Sequence, residues 1–320
     1  MRDNINRNID YIRISVTDRC DFRCTYCMPE DGIETLKEEE ILTYEEILLV
    51  AEILSEIGIE KVKITGGEPF VRLGIINLIK ELKAINGIEE VTITSNGNLI
   101  GKYVDELVSI GIDGINISLD TKNKERFYEI TKRDCLNEVL SSIEAIAKTD
   151  IPLKINCVPL RSTPTSELIE IAEYAKDRNI HIRFIEMMPI GLGIKHESYQ
   201  QEELLEILKK NFGNYCNVTN KVGNGPSTYV KFDNFIGNVG FISAMSHKFC
   251  DQCNRIRMTS DGSIKQCLFH NDGISLKDLI RQNKNREEII EELKKTIKSK
   301  KSEYNLDDKS ESKVMGQIGG

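Results

Sequence analysis

The chain has no run of about twenty apolar residues of the kind that spans a bilayer. It opens on Met1-Arg2-Asp3-Asn4 rather than on a basic and apolar leader. Both absences point to the cytoplasm. A surplus of positive charge is also missing, since 43 Lys and Arg face 51 Asp and Glu for a formal net charge of −8. A general nucleic-acid binder wants a broad basic face, whereas an anionic small molecule needs only a local basic pocket. Histidine is scarce, with four in all and none before His181.

What the chain does have is cysteine, nine residues in 320. An odd count in a reducing compartment argues against a disulfide framework. Cys20, Cys24 and Cys27 share one short stretch, and Cys250, Cys253 and Cys267 form a second group. Cys135, Cys157 and Cys216 are scattered and are expected as small buried apolar side chains.

The first two-thirds alternate strand and helix. Strand-like runs fall at residues 11–16, 61–65, 91–95, 114–119, 152–158 and 180–186. A helix is expected to start at Thr43, where Thr43 and Glu46 make a capping box and Gly58 supplies the stop. Others are expected near residues 73–85, 103–110, 136–148, 165–176 and 201–212. Six such units predict a parallel sheet with right-handed crossovers, either an incomplete (βα)6 TIM-type barrel or an open doubly wound sheet. Ligands then belong at the carboxyl ends of the strands. Cys20–Cys27, Gly66-Gly67-Glu68-Pro69, Asn96-Gly97, Asp120 and Met187-Met188 all follow strands, which gathers the unusual chemistry on one face.

After about residue 200 the pattern changes, and we divide the chain into a barrel (1–220) and a smaller α+β extension (221–320) that carries the second cysteine group. Residues 222–226 read as a turn or flexible link. Strand-like runs are expected at 228–232, 236–243 and 256–266, and residues 282–313 as a charged, solvated, at most helical segment. Residues 301–313 alone would be disordered.

Three thiolates in one loop, with no His or fourth Cys nearby, suit a [4Fe–4S] cluster with one open iron better than a closed tetrahedral zinc site. For the second group zinc stays open, because His247 or His270 could complete a Cys3His set. Arg255 and Arg257 follow Cys253 directly, and their alternation on a strand presents two guanidinium forks to one face.

Cys20-x3-Cys24-x2-Cys27 with Tyr26, together with Gly66-Gly67-Glu68-Pro69, resembles the radical S-adenosylmethionine (SAM) superfamily. The longer motifs extend the likeness: Arg13-Ile-Ser-Val-Thr-Asp-Arg-Cys20, Phe22-Arg-Cys-Thr-Tyr-Cys-Met-Pro29, Thr94-Ser-Asn-Gly97, Asn116-Ile-Ser-Leu-Asp120, Arg183-Phe-Ile-Glu-Met-Met-Pro189, Cys250-x2-Cys253-Asn-Arg255-Ile-Arg257 and the terminal Gly319-Gly320. From about residue 10 to the end the chain resembles the GTP 3′,8-cyclase family of molybdenum cofactor biosynthesis.

That resemblance implies the incomplete barrel and two [4Fe–4S] clusters, the first held by Cys20, Cys24 and Cys27 and binding SAM. The second, held by Cys250, Cys253 and Cys267, would anchor guanine. A 5′-deoxyadenosyl radical would take the ribose 3′-hydrogen of GTP, and C3′ would add to guanine C8 to give 3′,8-cyclo-7,8-dihydro-GTP. Tyr26, Gly67, Ser118, Met188 and Arg183 would line the SAM site, Arg183 at the carboxylate. Arg13, Lys63, Thr94, Lys154, Arg255, Ile256 and Arg257 would hold GTP. Arg13, Gly319 and Gly320 would serve the radical step, the glycine tail threading a gap that no side chain would fit. An external electron donor and a downstream cyclic pyranopterin monophosphate synthase are implied partners, with monomer and homodimer both open. Two positions depart from the family's pattern: Lys63 stands where Arg is frequent, which keeps the charge but loses the fork, and Asp21 where Asn is usual, with no functional consequence expected.

Overall fold

The computed structural model describes residues 1–220, 222–270, 273–304 and 314–319. Six strands, β1 (Tyr11–Ser15), β2 (Lys61–Thr65), β3 (Glu90–Ser95), β4 (Gly114–Ser118), β5 (Leu153–Cys157) and β6 (Ile180–Ile185), run parallel in sequence order. Between them lie α1 (Tyr44–Glu56), α2 (Ile75–Ala84), α3 (Val104–Ile110), α4 (Lys124–Thr131), α5 (Leu136–Ala147) and α6 (Thr165–Ala172), with α7 (Gln201–Phe212) after β6. The expected capping box is present, since Thr43 accepts from the Glu46 N–H at 3.2 Å and Glu46 accepts from the Thr43 N–H at 2.8 Å. Sequence patterning missed α4, whose mean composition is polar and whose buried face is only Phe127, Ile130 and Thr131.

Each barrel strand alternates by face. Ile12, Ile14, Val62, Ile64, Ile93, Ile115, Ile155 and Ile182 are buried in the core beneath the helices. From α1, Ile47, Val50, Ile53 and Leu54 enter the same core. Each fully buried aliphatic side chain there contributes about 1.5–3 kcal/mol before conformational entropy is subtracted. The opposite parity, Arg13, Lys63, Thr92, Thr94, Asn116, Lys154 and Arg183, faces the barrel interior.

The later chain completes the sheet from both sides. Beyond α7 come β7 (Tyr215–Val218), β8 (Thr228–Phe232), β9 (Val239–Ile242), β10 (Arg255–Met258), β11 (Ser263–Lys265) and β12 (Gly273–Ser275), and the order is β12-β11-β10-β1-β2-β3-β4-β5-β6-β9-β8-β7. β10 lies parallel to β1 and β9 parallel to β6, so the six-strand partial barrel gains one parallel strand at each edge. The expected run at 256–266 is a hairpin of β10 and β11.

Three sequence expectations are corrected. Tyr11, the first residue of β1, pairs with Arg255, so Cys250 and Cys253 lie beyond the amino end of β1 while Cys20 follows its carboxyl end. The unusual chemistry therefore occupies both ends of the barrel, because β10 arrives by a non-local pairing that no local pattern encodes. The charged segment beginning at 282 is not solvated throughout. After α8 (Leu276–Arg281), helix α9 (Arg286–Lys298) buries Ile289, Leu293 and Ile297, and Tyr304 is buried against Phe269 at 4.1 Å between ring centroids. Residues 305–313 lie outside the described residues, and α10 (Met315–Ile318) follows them. Of the scattered cysteines only Cys157 is buried; Cys135 is half-buried at the start of α5, and Cys216 is exposed on β7, an edge strand with one pairing partner.

Candidate functional site

One cavity of about 920 Å³ runs through the barrel, lined by Cys20, Cys24 and Cys27 at the carboxyl end and by Cys250, Cys253 and Cys267 at the amino end. The first cysteine loop is propped from α4, where Arg23 and Thr25 donate their N–H groups to the carbonyls of Thr131 and Ile130 at 2.8 and 2.9 Å. It also packs against the turn after β2. A Cβ on Gly67 would stand 2.3 Å from the Arg19 carbonyl oxygen, so the two backbones meet only because that residue is glycine. Gly67 N–H donates to Thr17 O and Glu68 N–H to Arg19 O, at 2.7 and 2.8 Å.

Glu68 closes this end. Its carboxyl accepts from Phe70 N–H, Ser95 Oγ and Asn96 N–H at 3.2, 2.9 and 2.7 Å, while burial pushes its pKa up to about 8. Asp21, from which the sequence led us to expect no functional consequence, has a structural part here. Its two carboxylate oxygens accept from the side-chain amides of Asn96 and Asn98 at 2.7 and 2.8 Å, tying the cysteine loop to the loop after β3. Two oxygens without hydrogens can satisfy both donors, whereas an Asn would offer one. Tyr26 donates to Asp120 Oδ2 at 2.7 Å, and Asp120 Oδ1 accepts from Val158 N–H at 2.8 Å. Gly67, Ser118 and Met188 also line the cavity here.

Cations gather further in. Arg13, Lys63, Lys154, Arg183, Arg255 and Arg257 all line the cavity. Burial, then Arg183, Arg13 and Lys154, hold Lys63 well below the usual lysine range. Burial and Arg183 bring Lys154 down to about 8, and burial brings Arg13 down to about 10. Among the described residues, Lys63, Lys154, Arg183, Arg255 and Arg257 form no carboxylate ion pair, in contrast to the neighbouring Lys61, which meets Asp10 at 2.6 Å. Glu90 also lines the cavity and acts favourably on Lys63 and Lys154 without pairing with either, so the arrangement suits an anionic ligand. Arg183 shares a register row with Asn156 and Ser118, and donates to Asn156 Oδ1 at 2.9 and 2.6 Å.

Of the other expected GTP ligands, Thr94 lines the cavity, whereas the Ile256 side chain is fully buried in the core behind β10 and leaves only backbone to offer. Residues 222–226 do not form a mere link. They line the cavity beside Lys154, whose Nζ donates to Val222 O at 3.5 Å. A Cβ on Gly223 would collide with Lys154 Nζ, so glycine lets the loop lie against that cation.

The tail reaches both groups. Gly316 directs its N–H at the Cys27 sulfur, which offsets part of the burial that pushes this thiol up to about 11. Arg257 Nη1 donates to Gly319 O. Gly319 has φ +75° and a Cβ there would lie 2.9 Å from Ser15 Cβ and Thr65 Oγ1, so the position takes glycine alone. Gly320 lies outside the described residues.

The donor sets fit three-thiolate clusters. Each group offers three thiols and no other ligand type; His247 and His270 do not line the cavity, and His247 is exposed against Glu202. No three or more Cys, His, Asp or Glu side chains among the described residues converge on a single-ion site. At the second group burial raises Cys250. Burial also acts upward on Cys253, but Arg255 and Lys300 outweigh it and bring that thiol down to about 7.

Residues 14–175 match the family described as the radical SAM superfamily, and residues 180–306 match molybdenum cofactor synthesis C. Among solved structures, SuiB of Streptococcus suis bound to S-adenosylmethionine superposes with a TM-score of 0.64 at 16% identity, covering 90% of this chain and 69% of that one. AnSMEcpe with bound AdoMet gives 0.57 at 18%, covering 87% and 82%. These two likenesses concern the fold. The chain is a radical SAM enzyme.

Curated relatives narrow this. GTP 3′,8-cyclase of Clostridium perfringens strain 13 is 43% identical over 323 positions, covering 100% of both chains. Those of Desulforamulus reducens and Thermodesulfovibrio yellowstonii are 38% and 40% identical, covering 100% and 93% of both chains. The chain belongs to the GTP 3′,8-cyclase family, whose chemistry uses SAM and a [4Fe–4S] cluster, with a second cluster implied.

Proposed function

We propose that the chain cyclises GTP to 3′,8-cyclo-7,8-dihydro-GTP, the first step of molybdenum cofactor biosynthesis. The observation that carries this is a single cavity lined by three thiols at each end and by six cations besides Lys61, which pairs with Asp10. Cys20, Cys24 and Cys27 would hold the first cluster, and Cys250, Cys253 and Cys267 the second. When bound, the first cluster with SAM supplies the 5′-deoxyadenosyl radical, and the second supplies an open iron for the guanine.

The chain's own residues bind, aim and shield. Arg13, Lys63, Lys154, Arg255 and Arg257 neutralise the triphosphate, the arginines bidentately. Tyr26, fixed by Asp120, and the Gly67 turn seat SAM beside Ser118 and Met188. Arg183, on the Ser118 row, meets the SAM carboxylate. Ile190, Leu268, Phe269, Tyr304 and Ile318 pack as an apolar cluster that keeps water from the reacting carbon. Arg257 holds Gly319 of the tail and so couples the phosphate site to the tail.

No helix among the described residues is long and apolar enough to cross a membrane. We propose a cytoplasmic enzyme that takes its electrons from an external donor and passes its product to a cyclic pyranopterin monophosphate synthase.

Anaerobic reconstitution is the test. About eight irons per chain, as two four-iron clusters require, with 5′-deoxyadenosine released faster when GTP is present, is the expected result. About four irons, or stimulation by a peptide and not by GTP, would overturn it.

A further inference from the structure

Arg7 belongs to none of the motifs that pointed to the function, yet it is 6% exposed and saturated. Its Nε donates to Asp3 Oδ2 at 2.6 Å. Nη1 donates to the carbonyls of Cys250 and Ser302 at 2.6 and 3.1 Å, and Nη2 to those of Lys300 and Lys301 at 3.1 and 2.7 Å. Those bonds use all five guanidinium donors. One buried residue near the amino terminus thereby joins the second cysteine loop to the segment after α9.

Lys300 completes the joint from the other side. It is 5% exposed, and its Nζ donates to the carbonyl of Gln266, the residue before Cys267. The Gln266 amide in turn donates to Thr296 O and Ser299 Oγ at 2.6 and 2.8 Å, at the end of α9. Both stretches that carry the second thiol set are therefore clamped to residues 296–302. Asp3 neutralises Arg7, but no carboxylate meets Lys300 among the described residues. Burial holds its pKa below the usual lysine range, and Cys253 and Cys267 act against that.

We propose that Arg7 and Lys300 are positioning residues of the second cluster: Arg7 fixes the Cys250 loop, and Lys300 fixes the Cys267 loop and sets the cluster's reduction potential with its charge. This rests on the second thiol group holding a cluster. Three ligands from two separated loops leave the site dependent on outer contacts for its shape, as outer partners orient metal ligands generally. A buried cation beside the thiolates stabilises the more negative, reduced state, as charge around iron–sulfur sites does.

The test is spectropotentiometry of the reconstituted full chain, with iron counted in the same samples. Lys300→Met should lower the second cluster's potential, cutting the reduced-to-oxidised ratio at a fixed poise about tenfold, equivalent to about 59 mV for one electron. Lys300→Arg should restore it. Arg7→Met should shed about half the iron while basal SAM cleavage persists. Loss of the second cluster in Lys300→Met, with the first retained, also supports the clamp. Wild-type iron and potential in both Met variants would overturn it. About four irons in the wild-type chain would instead sink the two-cluster reading, and the proposal with it.

Discussion

Arg257 Nη1 donates to the carbonyl oxygen of Gly319 at 2.8 Å, across 62 residues of chain, so a cation of the phosphate site also holds the tail. Gly319 is left-handed and wedged against Ser15 and Thr65. Left-handed backbone costs a side chain about 1–2 kcal/mol, and the clash adds to it. Gly319→Ala should therefore lower cyclisation about tenfold or more, with 5′-deoxyadenosine formation largely kept. Deleting Gly319-Gly320 should abolish cyclisation while both clusters remain. The ratio of cyclised nucleotide to 5′-deoxyadenosine reads this directly, and an unchanged ratio in the deletion counts against any role for the tail.

With Lys154 on the triphosphate, as proposed, GTP binding should be sensitive to pH. Burial and Arg183 lower the Lys154 pKa to about 8 in the free chain. A bound triphosphate raises it again, so binding above pH 8 must take up a proton. Affinity should fall as pH rises past 8, by up to about tenfold per unit, and Lys154→Met should flatten the slope. Calorimetry in two buffers of different ionisation enthalpy measures the proton uptake; none at pH 8.5 would contradict the assignment.

Lys63 costs the ligand-free fold what it gives to binding. Burial and then Arg183, Arg13 and Lys154 hold its pKa well below the usual lysine range, with Glu90 acting against them. Lys63→Met should raise the ligand-free Tm while weakening GTP binding. A variant that lost both stability and binding would show that Lys63 is held by contacts rather than strained by charge.

Burial raises the Cys20 and Cys24 thiols, and the negative charge of Asp21 beside them adds to that rise. Replacing it by Asn keeps one acceptor for Asn96 and Asn98 and removes the charge. The first cluster's potential should rise in Asp21→Asn, as seen by redox-titrated spectra, with iron content unchanged. A potential that stays put would mean solvent screens the carboxylate.

Much of the site was readable because its signals are local. Cys20, Cys24 and Cys27 share one loop, so spacing alone made them a set, and the strand-end rule put Gly67 and Asp120 beside them. Arg13, Lys63, Lys154 and Arg183 share the inward parity of their strands, which alternation predicts. Ile256 shows the same rule from the other side, since as the residue between two inward arginines it must point into the core. The glycines at 223 and 225 were visible but indistinguishable from an ordinary turn until Lys154 was placed against them.

The sequence by itself thus determined the chemistry: three thiols twice, the alternating cations, the family, and the six parallel units. Only the tertiary structure decided where those parts stand. β10 pairs with β1 in a register that joins Tyr11 to Arg255, and that long-range pairing sends the second thiol group to the opposite end of the barrel from the first. Arg7 could not be recognised as a clamp, nor α9 as a packed helix, because their partners are distant in the chain. Hydrogen bonds and apolar contacts of that kind depend on geometry that the packed core sets, and local spacing carries no record of it.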